Sequence, residues 1–172
     1  MARCDVTRLA ASTRVVRPGP LRLAADEVTY NLHIALRFRL EVELIRGALE
    51  VDDLPEAWSQ GMHDLLGVRP EGHRDGVLQD VHWATGAFGY FPTYTLGNIY
   101  AAQLRAALEE NLGPLDALVE RRDFHAIREF MRDRVHSHGR RYPTPELMRA
   151  ATGRDLGADE LVSHLEARYL PE

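Results

Sequence analysis

The residues able to do chemistry concentrate in two short stretches. One reads Gly76-Val77-Leu78-Gln79-Asp80-Val81-His82-Trp83 and continues to Tyr90-Phe91-Pro92-Thr93-Tyr94. His82 and Tyr90 are side chains that donate hydrogen bonds to a developing oxyanion, and Tyr94 is an alternative phenol for the same task. Asp80, two residues before the imidazole, is of the type that orients a histidine ring. Gly86 and Gly89 let the backbone approach a substrate chain. The same composition also suits a packed aromatic loop anchored by Trp83, Phe88 and Phe91. The other stretch, Leu21-Arg22-Leu23-Ala24-Ala25-Asp26-Glu27, sets one guanidinium close to two carboxylates.

The elements that must hold these stretches are helical. Residues 27–46 contain no Gly or Pro, and apolar side chains at Leu32, Ala35, Leu36, Leu40, Ile45 and their neighbours cover most of a helix circumference. That pattern places the helix inside a bundle. Asp26 is a cap for its start and Gly47 closes it. A second helix is predicted over 53–66, capped by Asp52 or Asp53 and ended by Gly67. Residues 67–92 are rich in glycine, aromatics and ionisable groups and read as one long irregular loop, a type often functional. Further helices are predicted over 93–111, 122–136, 144–151 and 158–169, with Gly113-Pro114 as a break. Thr144 is the expected N-cap of its helix and Pro145 the first helical residue. The fold class is all-α, a helical bundle. An Arg-rich leader over 1–20, weakly ordered or disordered, precedes a single domain over 21–172.

Composition excludes several classes. The chain has 172 residues, 45% apolar and 27% charged, with a net charge of -5. The acidic surplus argues against general nucleic-acid binding. No apolar run approaches the roughly 20 residues that span a membrane. Cys4 is the single cysteine, so neither an intrachain disulfide framework nor a cysteine-based zinc finger is available, and a reducing cytoplasm is the expected compartment.

The two stretches also carry a family resemblance. LRLAADEVTYNLHIALRFRLE resembles the segment of carboxypeptidase Taq proteins that holds the IRxxADE motif, with Leu21 in place of the usual isoleucine. GVLQDVHW matches the family's GxxQDxHW motif at every specified position. FGYFPTYTLGNIYAAQL and HSHGRRYPTPELMRAATG are like the family's C-terminal run, so the resemblance covers the chain from about Val16 to its end. It implies a mostly helical fold with a deep groove, usually a homodimer, and removal of single residues from peptide C-termini. It implies that Arg22 binds the substrate carboxylate, for which its planar fork of donors is suited, the alternative being a structural salt bridge to Asp26 or Glu27. His82 and Tyr90 would stabilise the tetrahedral intermediate, with Tyr94 as the alternative. Gln79, Asp80 and Trp83 would support the substrate-binding loop, and Gly76, Asp26 and Glu27 complete the motifs.

The family's zinc rests on a helical HExxH motif and a further glutamate, upstream of the ADE segment. None of the eight histidines here precedes a glutamate. His136 and His138, two apart, would point about 200° apart on a helix and cannot share a metal. No cofactor is therefore expected in this chain, although full-length members carry zinc. The expectation is a truncated homologue, inactive alone. The alternatives are the C-terminal half of a split carboxypeptidase, active with an N-terminal piece, and a structural or regulatory oligomerisation module. Expected partners are a second copy, most simply in a dimer, a complementary N-terminal fragment, and peptide C-termini.

Overall fold

A computed structural model describes residues 5–170; Cys4 and Arg3, which the leader reading includes, lie outside them. Among the described residues there are helices and turns and no strand, so the chain is all-α as its periodicity predicts. The leader contains a short helix, α1 (Val6–Ser12), followed by exposed chain to Pro18. The polypeptide divides into two compact units, Met1–Thr95 and Leu96–Glu172.

The first unit is built on α2 (Tyr30–Ile45) and α3 (Leu54–Leu66). Leu36 and Leu40 of α2 pack with Leu54, Trp58, Met62 and Leu66 of α3, and Val77 and Trp83 close the cluster from the loop. The apolar face of α3 repeats at the 54, 58, 62, 66 spacing that a helix places on one side. The helices approach closely at Gly61, where a Cβ would collide with the Leu36 side chain. A larger residue there would force the buried Leu36 side chain to move. Helix α2 departs from the expected all-round apolar helix: its buried face includes His33, Arg37 and Glu41, while Phe38 and Ile45 are exposed. Residues four apart share a helix face, so 33, 37 and 41 form a buried polar stripe. The start of α2 also differs. Asp26 accepts from the backbone N–H of Val28 (3.0 Å) and Thr29 (2.9 Å), organising a turn that precedes the helix.

The second unit takes up α4 (Pro92–Leu112), whose first turn belongs to the first unit, then α5 (Leu115–Glu120), α6 (Phe124–Arg134), α7 (Thr144–Thr152) and α8 (Asp159–Tyr169). Ala107 and Leu108 pack with Leu118 and Phe130 to form its core. Asp123 caps α6 by accepting from the Ala126 N–H at 3.2 Å, the usual job of an Asp at that position. Helix α5 lies where no helix was expected, because six residues between Pro114 and Arg121 give too little pattern to read. Pro143 occupies the N-cap of α7 and Thr144 its first helical position, one residue earlier than expected.

Candidate active-site half

The two motifs meet in the first unit. Arg22 lies on a short 3-10 turn (Arg22–Ala24) and is buried. Its backbone N–H donates to Gln79 Oε1 at 2.9 Å. Gln79 Nε2 donates to the carbonyls of Pro20 (3.0 Å) and Asp75 (2.8 Å). One amide side chain thus ties the strand of chain before α2 to the glycine-rich loop. Gly76 is required in that loop, since a Cβ there would lie 2.7 Å from the Gly72 carbonyl oxygen.

At the centre stands Asp80. Its Oδ1 accepts from Arg22 Nε (3.0 Å) and Nη2 (2.6 Å), and its Oδ2 accepts from Arg37 Nε (2.7 Å). Arg22 therefore pairs with Asp80, from the other motif, where the sequence offered Asp26 or Glu27. Arg22 Nη1 reaches the Tyr30 hydroxyl at 3.3 Å, and Arg37 Nη1 donates to the His33 carbonyl at 2.8 Å. Arg37 is fully buried, with its guanidinium 4.5 Å from the centre of the Trp58 ring, a cation–π contact strengthened by desolvation. Burial pushes the Asp80 carboxyl up, but hydrogen bonds and charge from the two arginines outweigh it and hold the group below its usual range. Burial lowers Arg37, whereas for Arg22 the Asp80 and Tyr30 contacts outweigh burial and raise it. Burial and the charges of Arg37 and Arg22 lower His33 to about 4, so its imidazole is neutral near pH 7. Both His33 ring nitrogens and Arg37 Nη2 are buried without a hydrogen-bond partner.

Next to this cluster is an imidazole–phenol group. His82 Nε2 lies 3.0 Å from the Tyr94 hydroxyl. Its Nδ1 is 3.8 Å from Asp80 Oδ1, beyond hydrogen-bond length, and has no partner. Asp80 is thus committed to the guanidiniums, and the imidazole is oriented by Tyr94 and by Phe91, whose ring centre is 4.4 Å away. Tyr90 is half-exposed and packs against His82 (5.6 Å) and Tyr94 (5.4 Å) through its ring. Tyr94, in the first turn of α4, lies under the Arg22 guanidinium at 4.9 Å. Trp83 is an anchor, edge-on to Trp58 and Phe91 and bonded through Nε1 to Glu41 Oε2 at 2.7 Å.

The structure therefore brings Arg22, Gln79, Asp80, His82, Tyr90 and Tyr94 together, with Trp83 behind them. Asp26 stands at the edge, accepting from Thr29 Oγ1 (3.0 Å) and the Arg17 N–H (2.9 Å); burial opposes its ionisation, and these bonds hold its carboxyl below the usual range. Glu27 is exposed on the same turn. Tyr30, His33, Arg37 and Glu41 were missed by the sequence reading. The signal was there: ionisable residues at 33, 37 and 41 in an otherwise apolar helix share one face. Among the described residues, no three His, Cys, Asp or Glu side chains converge as metal ligands. The residues around Asp80 and His82 therefore do not by themselves supply the donor set of a metal centre. No helix among the described residues is long and apolar enough to cross a membrane.

The sequence profile of carboxypeptidase Taq (M32) metallopeptidases covers residues 1–169, and the chain belongs to that family. It is 48% identical over 158 residues to thermostable carboxypeptidase 1 of Thermus thermophilus, an alignment covering 92% of this chain and 31% of that protein. It is 43% identical over 153 residues to carboxypeptidase 1 of Bacillus subtilis, covering 89% of this chain and 30% of that one. Among solved structures, Trypanosoma cruzi metallocarboxypeptidase 1 superposes with a TM-score of 0.93 at 36% identity, over 99% of this chain and 36% of that chain. The chain spans about a third of the length of the curated relatives it matches.

Proposed function

We propose that this chain supplies the substrate-recognition and charge-stabilising half of a metallocarboxypeptidase site, and does not cleave peptides alone. The observation that carries the reading is the shared carboxylate. Arg22, Arg37 and Asp80 together carry one net positive charge in a buried setting. A peptide's C-terminal carboxylate is the anion that would balance it. It would approach the Nη1 edge of Arg22, which donates to the neutral Tyr30 hydroxyl. His82 and Tyr90, with Tyr94 as the alternative, then face the scissile carbonyl and donate to its oxygen as charge develops. In the family a metal supplies the activated water; in this reading the complementary N-terminal piece would hold it. A cytoplasmic setting and a complementary N-terminal piece belong to the same reading.

The test uses the chain with and without that piece. Alone, with zinc added, it should release no amino acid from N-blocked dipeptides. Mixed with the separately produced N-terminal two-thirds of the Thermus thermophilus relative, it should turn them over, and Arg22→Met should suppress that turnover. Stoichiometric zinc and metal-dependent turnover by this chain alone would refute the reading, as would a fully active Arg22→Met mixture.

A second reading, self-association, is favoured by a specific surface. Phe38, Ile45 and Phe88 are exposed together around one groove of the first unit. Apolar surface of this kind is commonly buried against another chain. A homodimer is expected in light scattering after size exclusion, and a soluble monomer at tens of micromolar (roughly the range where weak dimers dissociate) would contradict it.

A further inference from the structure

We infer that Glu41 is a positioning residue that sets the spacing between His82 and Tyr90. This rests on the reading of those two side chains as the charge-stabilising groups. Glu41 projects from the polar stripe of α2 and is 4% exposed. Its two oxygens do different jobs. Oε2 accepts from the Trp83 indole N–H at 2.7 Å, and Oε1 accepts from the Gly89 backbone N–H at 2.6 Å. Trp83 directly follows His82, and Gly89 directly precedes Tyr90. One carboxylate therefore fastens both ends of the segment that separates the two donors.

The choice of residue supports a positioning role. Burying a carboxylate without a cation partner costs several kcal/mol unless hydrogen bonds compensate; Arg37, one turn earlier on α2, is paired with Asp80, and Arg46, which lines the same groove as Glu41, is exposed. No ion pair to Glu41 is present among the described residues. A carboxylate is nonetheless the side chain that presents two acceptor oxygens in a fork; glutamine presents one acceptor and one donor. In Glu41→Gln, either the Trp83 indole or the Gly89 amide must face an N–H group. The segment between Trp83 and Gly89 also holds its own shape through local turn bonds such as Ala87 N–H to the His82 carbonyl at 2.8 Å, and the Trp83 ring packs on the α2–α3 core; Glu41 adds the polar link from α2 to the Gly89 end.

Glu41→Gln separates these roles. By amide exchange and indole resonances on the full 15N-labelled chain, the Gly89 amide or the Trp83 indole proton should exchange at least about tenfold faster, with α3 amides unchanged. The Trp58 indole, buried without a partner, serves as the internal reference. In the reconstituted mixture kcat should fall about a hundredfold with KM nearly constant, as for a displaced catalytic group. Trp83→Phe, which keeps the ring and deletes the N–H, should give a smaller kcat loss of the same kind. Unchanged exchange at both sites, unchanged kcat despite faster exchange, or loss of α3 protection as well would each overturn the positioning role. If the wild-type mixture shows no turnover, the functional reading fails on its own, and the exchange comparison still decides whether Glu41 holds the loop.

Discussion

Arginine–carboxylate pairs occur in both units, but they are of two kinds. In the second unit they lie at or near the surface: Arg149 with Asp155, both mostly exposed, and Arg132 with Glu129 and Arg154 with Glu110 and Glu160, which are part-exposed. In the first unit Asp80, 7% exposed, is clamped between two buried guanidiniums. Surface pairs are screened and entropically costly, so they contribute little. A buried triad cannot be dissolved piecemeal, because removing one member leaves uncompensated charge in a low-dielectric setting. The difference teaches where this fold concentrates its constraint: on the carboxylate that joins the two family motifs.

The comparison can be broken most directly at Asp80. Asp80→Asn should cost about 3–5 kcal/mol in urea unfolding, since Arg22 and Arg37 lose their common partner; a cost near that of a surface pair would contradict the account. His33 sharpens the comparison through pH. Its folded value of about 4 lies below the ordinary 6.5, so between these values the unfolded chain binds the proton and the folded chain does not. Stability should therefore fall as pH drops through that window, by about 3 kcal/mol in all. The lowered Asp80 carboxyl acts in the same direction at more acid pH: its contribution is present above the ordinary carboxylate range and is lost as pH falls through its folded value. His33→Leu should flatten the segment from pH 6.5 to 4 while leaving the Asp80 limb, and an unchanged acid profile would show that His33 is not the group responsible. The smallest effect is expected at the surface, where Arg149→Ala should alter stability by no more than about 0.5 kcal/mol in thermal unfolding.

Much of this was legible in the sequence. Helix periodicity and the Gly67 boundary place most elements, and GVLQDVHW with LRLAADE mark the chemical centre before any coordinates. What escaped notice has physical reasons. The stripe of His33, Arg37 and Glu41 was hidden in a helix whose apolar residues invited an all-round apolar reading, yet Phe38 and Ile45 face outward and the charges face in. The pairing of Arg22 with Asp80 spans 58 positions, and long-range pairing leaves no local pattern; nearby Asp26 and Glu27 were the natural partners to expect. Likewise Asp80 reads as an orienter of the adjacent His82, and only the geometry shows its oxygens taken by arginine. Helices α1 and α5 are too short for periodicity to register.

The proposed role of the buried cluster is to present Arg22 to a peptide's C-terminal carboxylate beside His82 and Tyr90, with Tyr94 as the alternative phenol. Its most direct measurement is an NMR titration of the 15N-labelled chain with an N-acetylated dipeptide and, separately, with the same dipeptide as its C-terminal amide. The account predicts that the free acid shifts the Arg22 Nε–H resonance and those of the His82 and Tyr94 backbone, while the amide leaves them in place. Equal shifts with both ligands, or shifts with neither, would contradict it.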